Sequence, residues 1–218
     1  MQITLKGYWR SSATWRVRIA LQLKGIEYAY EPVHLVRSGG EQHAEAFSTL
    51  NPMEQVPVLI VSGLTEGAHS RLLTQSMAIF NLLDALYPPP SLLPSDPWER
   101  ARSIQLAEVV NSGIQPLQNL SVLQYVERTY GGDKIEWGAR LITQGLSALE
   151  RMCAEETSAF LAGEAVSIAD LCLIPQLYNA RRFGLEMSAF PRLLDVESRC
   201  VTLDPFINAH PDQQPDAQ

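Results

Sequence analysis

The sequence predicts a mixed α/β N-terminal domain of order β-α-β-α-β-β-α followed by an all-helical C-terminal domain. Three observations predict it. Short apolar or alternating runs bounded by turn residues fill residues 2–8, 28–35, 55–61 and 71–74. Tyr87-Pro88-Pro89-Pro90 then ends any helix and holds the chain extended. After Pro97 the texture is helical throughout, and 218 residues at 46% hydrophobic suffice for two small cores.

In order, Ile3 and Leu5 alternate with polar neighbours in a first strand. The turn Arg10-Ser11-Ser12 opens a helix with Val17, Ala20 and Leu21 at helical spacing, which stops at Lys24-Gly25, where glycine suits a C-terminal cap. The second strand carries Pro32 and is therefore expected at an edge or a bulge. Gly39-Gly40 breaks the chain, residues 44–50 form a short helix, and Asn51-Pro52 ends it. The strand at 55–61 has Pro57 at its entrance and pairs as a hairpin with 71–74 across a long connection at 63–70. Gln75-Ser76 precedes an apolar helix at 77–86. Helices are expected near 98–112, 116–130, 134–153, 167–183 and 191–200. The resulting division is 1–87 for the first domain, 88–97 for the proline-rich linker, 98–210 for the helical domain, and a frayed polar tail at 211–218.

Composition excludes several classes. Net charge is −7, and the excess acidity follows residue 88, with seven Lys/Arg and seven Asp/Glu before it and ten against seventeen after it. Such a balance disfavours nucleic acid and anionic membrane as partners. Cys153, Cys172 and Cys200 are odd in number and widely spaced, so they read as core thiols, and His34, His43, His69 and His210 form no metal-ligand pair. No metal is expected. No run is long enough to span a bilayer and no signal-peptide pattern opens the chain, so a cytoplasmic protein is expected.

Four places can carry chemistry. Ser11 and Ser12 either cap a helix or present a hydroxyl and an electropositive helix start to an anion, with Arg10, Arg16 and Arg18 nearby. A thiolate is one such anion, but residues 1–87 contain no cysteine, so a thiol cofactor would have to bring it. The Val56-Pro57 bond is either an ordinary strand-entry proline or a cis bond that turns the Val56 backbone outward to pair with an extended ligand. Gln75-Ser76 either caps a helix or holds a carboxylate. In the second half, Ser167-Ile168-Ala169-Asp170 reads as a structural capping box worth about 1 kcal/mol. Arg181-Arg182 reads as charge complementing a helix end, and Gln115, Gln118, Asn119 and Ser121 as a solvated helix start or a cleft wall.

Arg10-Ser11-Ser12-Ala13-Thr14-Trp15-Arg16-Val17-Arg18, Asn51-Pro52-Met53-Glu54-Gln55-Val56-Pro57, Gly113-Ile114-Gln115-Pro116-Leu117-Gln118-Asn119 and Ala169-Asp170-Leu171-Cys172 together resemble the zeta class of the cytosolic glutathione transferases. The resemblance runs from about residue 2 to about residue 211. It implies an α+β, thioredoxin-like N-terminal domain, an all-α helical-bundle C-terminal domain, a homodimer, and glutathione as cofactor. It also implies glutathione-dependent cis–trans isomerisation of an unsaturated keto diacid such as maleylacetoacetate, a step of aromatic amino acid catabolism. Carried over, Ser11 stabilises the thiolate with Ser12 beside it. Gln42, Val56, Gln75 and Ser76 hold glutathione, Gln115, Asn119 and Ser121 line the cleft, and Arg10 and Arg182 meet substrate carboxylates. Two departures stand out: Ala13 replaces the cysteine of the class motif, and the 63–70 connection is longer than the class turn. Alternatives with the same residues are maleylpyruvate isomerisation, dehalogenation of α-halo acids, and non-catalytic glutathione binding.

Overall fold

The structure, a computed structural model, describes residues 1–64 and 69–218. Two compact units emerge, Met1–Ser91 with Asp204–Gln218, and Leu92–Leu203.

In the first unit, strands β1 (Gln2–Gly7), β2 (Ala29–Pro32), β3 (Val58–Ser62) and β4 (Arg71–Thr74) form one sheet in the order β2-β1-β3-β4. β1 runs parallel to β2 and antiparallel to β3, which is antiparallel to β4. The second strand is shorter than the expected 28–35. Pro32 is its last residue, opposite Gly7, and β2 is an edge strand, where a residue lacking an N–H is tolerated. Of the expected 63–70 connection, residues 65–68 lie outside the described residues.

Helix α1 (Ser12–Leu23) has nearly every residue from Ser12 to Leu21 buried. Its amphipathic spacing understated this, because Arg16 and Arg18 are 1% and 0% exposed. Gly25 ends the helix at φ +61, and the Gly25 and Ile26 N–H groups return to Gln22 and Leu21. The Lys24 side chain is fully buried and pins the start of the linker. Its Nζ donates to the carbonyls of Tyr87 (2.6 Å) and Pro90 (2.8 Å) and pairs with Asp84 (2.8 Å). Helices α2 (Glu45–Ser48) and α3 (Ser76–Leu86) complete the N-terminal part.

The second unit holds α4 (Pro97–Glu108), α5 (Leu120–Tyr130), α6 (Lys134–Met152), α7 (Ile168–Arg182) and α8 (Pro191–Cys200). The helix expected at 98–112 ends at Glu108 and widens into a π-helical turn at Val109–Ile114. The helix expected at 116–130 is split, because Asn119 is extended (φ −64, ψ 147) between a 3-10 turn at Gln115–Gln118 and α5. The linker does not end at 97 in packing terms. Leu92 and Leu93 are buried in this unit, and the Leu92 carbonyl accepts from the Ile168 N–H at 3.0 Å. All three cysteines are buried and none is in a disulfide, and burial pushes the Cys153 thiol up to about 11.

The capping box at the start of α7 is present, and it reaches further than its own helix. Asp170 is fully buried, and its carboxylate accepts from the Ser167 N–H (2.8 Å), the Ser167 hydroxyl (3.2 Å) and the Leu161 N–H (2.8 Å).

The largest departure is the C-terminus. Residues 204–210, assigned to the helical domain, and 211–218, expected to fray, fold onto the first unit. Helix α9 (Asp204–Asn208) lies against α1, and a 3-10 turn at Pro211–Gln213 follows. Apolar contact and buried hydrogen-bond acceptors explain the order. Phe206, Ala209 and Pro211 are buried, Ala217 packs on the core, and Asp216 accepts two hydrogen bonds.

Candidate functional site

The register places Lys6, Val58 and Thr74 side by side across the sheet, so β1 ends, β3 begins and β4 ends at one edge. The chain leaves or enters this edge at Ser11, Val56 and Gln75. Beneath them Tyr8, Trp9, Val33, Phe47, Val56 and Val58 form one core cluster. The Arg16 guanidinium links the starts of α1 and α3 by donating to the Ser76 hydroxyl at 3.4 Å.

Ser11 is the N-cap of α1, and its Oγ accepts from the Thr14 N–H at 3.2 Å. A hydroxyl has one proton and two lone pairs, so the cap leaves the Ser11 proton available to a ligand at the positive end of the helix. Ser12, the first helical residue, is buried. Arg10 is half-buried, with its guanidinium over the Trp9 ring at 5.1 Å. Arg16 and Arg18, expected to help attract an anion, are both inside. Burial lowers the pKa of Arg18, whose Nη2 donates to the Trp9 carbonyl (2.8 Å) and whose Nε donates to the Ala209 carbonyl (3.0 Å).

The Val56-Pro57 bond is cis, and among the described residues the Val56 backbone makes no hydrogen bond. Gln75 holds φ +69 and ψ 115, a setting rare for a residue with a Cβ, and its side chain makes no cap bond to α3. Gln42 is buried after β2. Its Nε2 donates to the Leu35 carbonyl (3.3 Å) and lies 3.0 Å from His43 Nε2, while its Oε1 is buried with no partner. His43 Nδ1 is 2.6 Å from the Glu54 carboxylate. The two contacts fix one tautomer, with Nδ1 donating to Glu54 and Nε2 accepting from Gln42. Gln42 Oε1 is thus a buried acceptor with capacity for one N–H donor.

The remaining candidates lie in the second unit. Gln115, Asn119 and Ser121 sit on consecutive turns, Gln115 and Asn119 half-buried and Ser121 exposed. Gln118, of the same polar cluster, turns inward and donates to buried Gln176 at 2.7 Å. The two adjacent arginines at the end of α7 differ in use. Arg181 makes a fork to Glu197 at 2.7 and 2.5 Å, whereas Arg182 is exposed and donates to Asn179 Oδ1 at 3.3 Å. Among the described residues no group of three or more His, Cys, Asp or Glu could hold a metal, and no helix is long and apolar enough to cross a membrane.

Residues 10–86 match the family model of the glutathione S-transferase N-terminal domain, and 122–196 that of the C-terminal domain. The chain is 43% identical over 212 residues to the maleylacetoacetate isomerase of Mus musculus, covering 97% of this chain and 94% of that protein. It superimposes with a TM-score of 0.90 and 47% identity on maleylacetoacetate isomerase from Anaeromyxobacter dehalogenans 2CP-1 with bound GSH in the active site, over 100% of this chain and 98% of that one. The same TM-score, 0.90, at 37% identity relates it to a maleyl pyruvate isomerase described as a bacterial glutathione S-transferase in zeta class, over 99% of this chain and 100% of that one.

The chain belongs to the glutathione S-transferase family, zeta class.

Within this zeta-class transferase, the sheet register brings the segments that carry Ser11, Val56, Gln75 and Ser76 to one end of the sheet. Sequence reading missed three features. The inward turn of Arg16 and Arg18 has no signal in periodicity, because charged residues at helical spacing read as solvent-facing. The His43–Glu54 pair joins residues eleven apart with no motif between them. Asp216 lies 207 positions from the Trp9 N–H that it accepts.

Proposed function

We propose that this chain is a glutathione-dependent isomerase that converts maleylacetoacetate from the cis to the trans diacid. The relatives named maleylacetoacetate isomerase over nearly the whole chain support the reaction class. The observation in this protein that carries it is the Ser11 hydroxyl, which caps α1 through a lone pair and retains its proton at the positive helix end. The residues fit a tripeptide thiol. The orphaned Gln42 Oε1 accepts an N–H, the Val56 backbone pairs with an extended main chain, and the start of α3 at Gln75-Ser76 receives a carboxylate.

When bound, glutathione supplies a thiolate that adds to the cis double bond, permits rotation about the resulting single bond and leaves as the trans product forms. The Ser11 proton, with Ser12 beside it, favours the charged form of that thiol, which lowers its pKa. Arg10 and Arg182 orient the substrate carboxylates, and Gln115, Asn119 and Ser121 are assigned to polar contacts with the bound thiol peptide. The role of a cysteine after the serines is absent here, since Ala13 stands there, and the stabilisation falls to Ser11 with Ser12 beside it. The class resemblance further assigns a homodimer in the cytoplasm, acting in aromatic amino acid catabolism.

Following cis-to-trans conversion by NMR, with and without glutathione, tests this reading. Turnover is expected only with glutathione, and Ser11→Ala is expected to lose about 100-fold in kcat. Conversion without glutathione, or undiminished in Ser11→Ala, refutes it. Halide release from an α-halo acid with no isomerisation assigns a dehalogenase instead, and glutathione binding without turnover a binding module.

A further inference from the structure

The Trp9 backbone, two residues before Ser11, is held on both sides. Its N–H donates to Asp216 Oδ2 at 3.0 Å, and its C=O accepts from Arg18 Nη2 at 2.8 Å. Both grips lead to the C-terminal segment. Asp216 belongs to it, and Arg18 donates through Nε to the carbonyl of Ala209 at 3.0 Å. Asp216 is itself fixed by the Tyr30 hydroxyl, which donates to the same oxygen at 3.3 Å. Around this clamp Ala217 packs on the core cluster that contains Tyr8, Trp9 and Val56. The His210 ring meets the edge of Trp15 with centroids 5.2 Å apart, and Gln214 Nε2 donates to the carbonyls of Asn208 and His210 at 3.2 and 2.9 Å.

A carboxylate on the N–H and a guanidinium on the C=O of Trp9 make two charge-assisted bonds, one to each of the two peptide groups that flank this residue, and each is stronger than a neutral one. They fix the Tyr8–Trp9 and Trp9–Arg10 peptide planes, the second of which leads into Arg10 and Ser11. Without them the turn between β1 and α1 retains the Ser11 N–H bond to the Tyr8 carbonyl (3.0 Å) and the cap at Thr14. Both of those bonds are internal to the turn and move with it.

We infer that the C-terminal segment is a strap whose Asp216 carboxylate positions the Trp9–Ser12 turn, making Asp216 a positioning residue for the thiolate-stabilising hydroxyl. The catalytic part of this inference rests on the Ser11 reading given above. The bonds of the strap fall on the turn that carries Ser11, so it governs the placement of Ser11 more than the affinity for the peptide.

The test combines Asp216→Ala, Asp216→Asn and a chain ending at Gln213 with Ser11→Ala. Hydrogen exchange of the ligand-free protein, resolved to residues 8–12, needs no cofactor. It is expected to accelerate about tenfold at the Trp9 amide in Asp216→Ala and in the shortened chain, with β1 and β3 unchanged. Steady-state kinetics of Asp216→Ala are expected to show kcat down about tenfold. The KM for glutathione is expected to move less than about threefold. Asp216→Asn, which keeps an amide oxygen to accept from Trp9, restores most of both. Unchanged exchange at Trp9 overturns the strap, as does faster exchange spread equally over β1 and β3, which marks a general stabiliser. Fast local exchange with unaltered kcat, where Ser11→Ala is inactive, overturns the positioning role. Full activity in Ser11→Ala instead defeats the thiolate reading, and the exchange result still decides whether the strap holds the turn.

Discussion

Replacing Asp170 by Asn should destabilise the protein, and by more at acid pH than at neutral pH. Complete burial raises the Asp170 carboxyl from 3.8 to about 6, against the opposing pull of the Leu161 and Ser167 donors. A carboxyl whose folded value exceeds its unfolded one binds its proton more tightly in the native state. Native stability therefore falls as pH rises from about 4 to about 6, by about 3 kcal/mol over the whole window. Asn cannot titrate, and its NH2 group must face one of the two backbone donors that Asp170 satisfies, the Leu161 or Ser167 N–H at 2.8 Å. One buried N–H without an acceptor costs about 2 kcal/mol, which is the deficit expected at pH 7.5. At pH 4.5 the native carboxyl is protonated and the wild-type protein has regained most of its titration term, so the deficit grows by about 2 kcal/mol. Urea unfolding followed by circular dichroism at pH 7.5, 6.0 and 4.5, at one protein concentration, measures both quantities. A deficit that is constant with pH, or that narrows on acidification, refutes the argument.

Two further outcomes follow from close packing. Lys24→Met leaves Asp84 without its cation and strands the Tyr87 and Pro90 carbonyls, so urea unfolding should show a loss of about 3 kcal/mol; a loss below about 1 kcal/mol contradicts the burial argument. A Cβ on Gly138 would stand 2.2 Å from Phe183 Cε1, so Gly138→Ala should displace the ring next to Arg182 and raise the KM for the diacid with little change in that for glutathione, and Phe183→Leu in the same chain should reverse part of the effect.

Much of the site was legible because its parts are local. Ser11 at the start of α1 and Gln75-Ser76 at the start of α3 are each encoded by residues within one turn of where they act, whereas the sequence left the Val56-Pro57 bond open between cis and an ordinary strand-entry proline, and the structure makes it cis. The β3–β4 hairpin was legible because the two strands adjoin in sequence, whereas the antiparallel pairing of β1 with β3, which sets the sheet order, joins strands more than fifty residues apart and left no local signal. The capping box at Ser167 and Asp170 was read from its spacing, but its energetic weight was understated. The third donor, the Leu161 N–H, comes from outside the helix, and spacing within a helix carries no information about it.

The sequence by itself determined where most strands and helices fall, where the proline-rich break lies, and which residues open α1 and α3, because periodicity, caps and turn chemistry are short-range properties. Only the tertiary structure decided the inward turn of Arg16 and Arg18, the orphaned oxygen of Gln42, and the docking of residues 204–218 on the first unit. Each depends on partners brought close by folding. The tail reads as polar and frayed until Trp9 offers an N–H to Asp216 and the core accepts Ala217. A buried arginine reads as a surface charge until the carbonyls of Trp9 and Ala209 are there to receive it. Desolvated charge is tolerated only where such partners are fixed in advance, and that is a property of the folded chain.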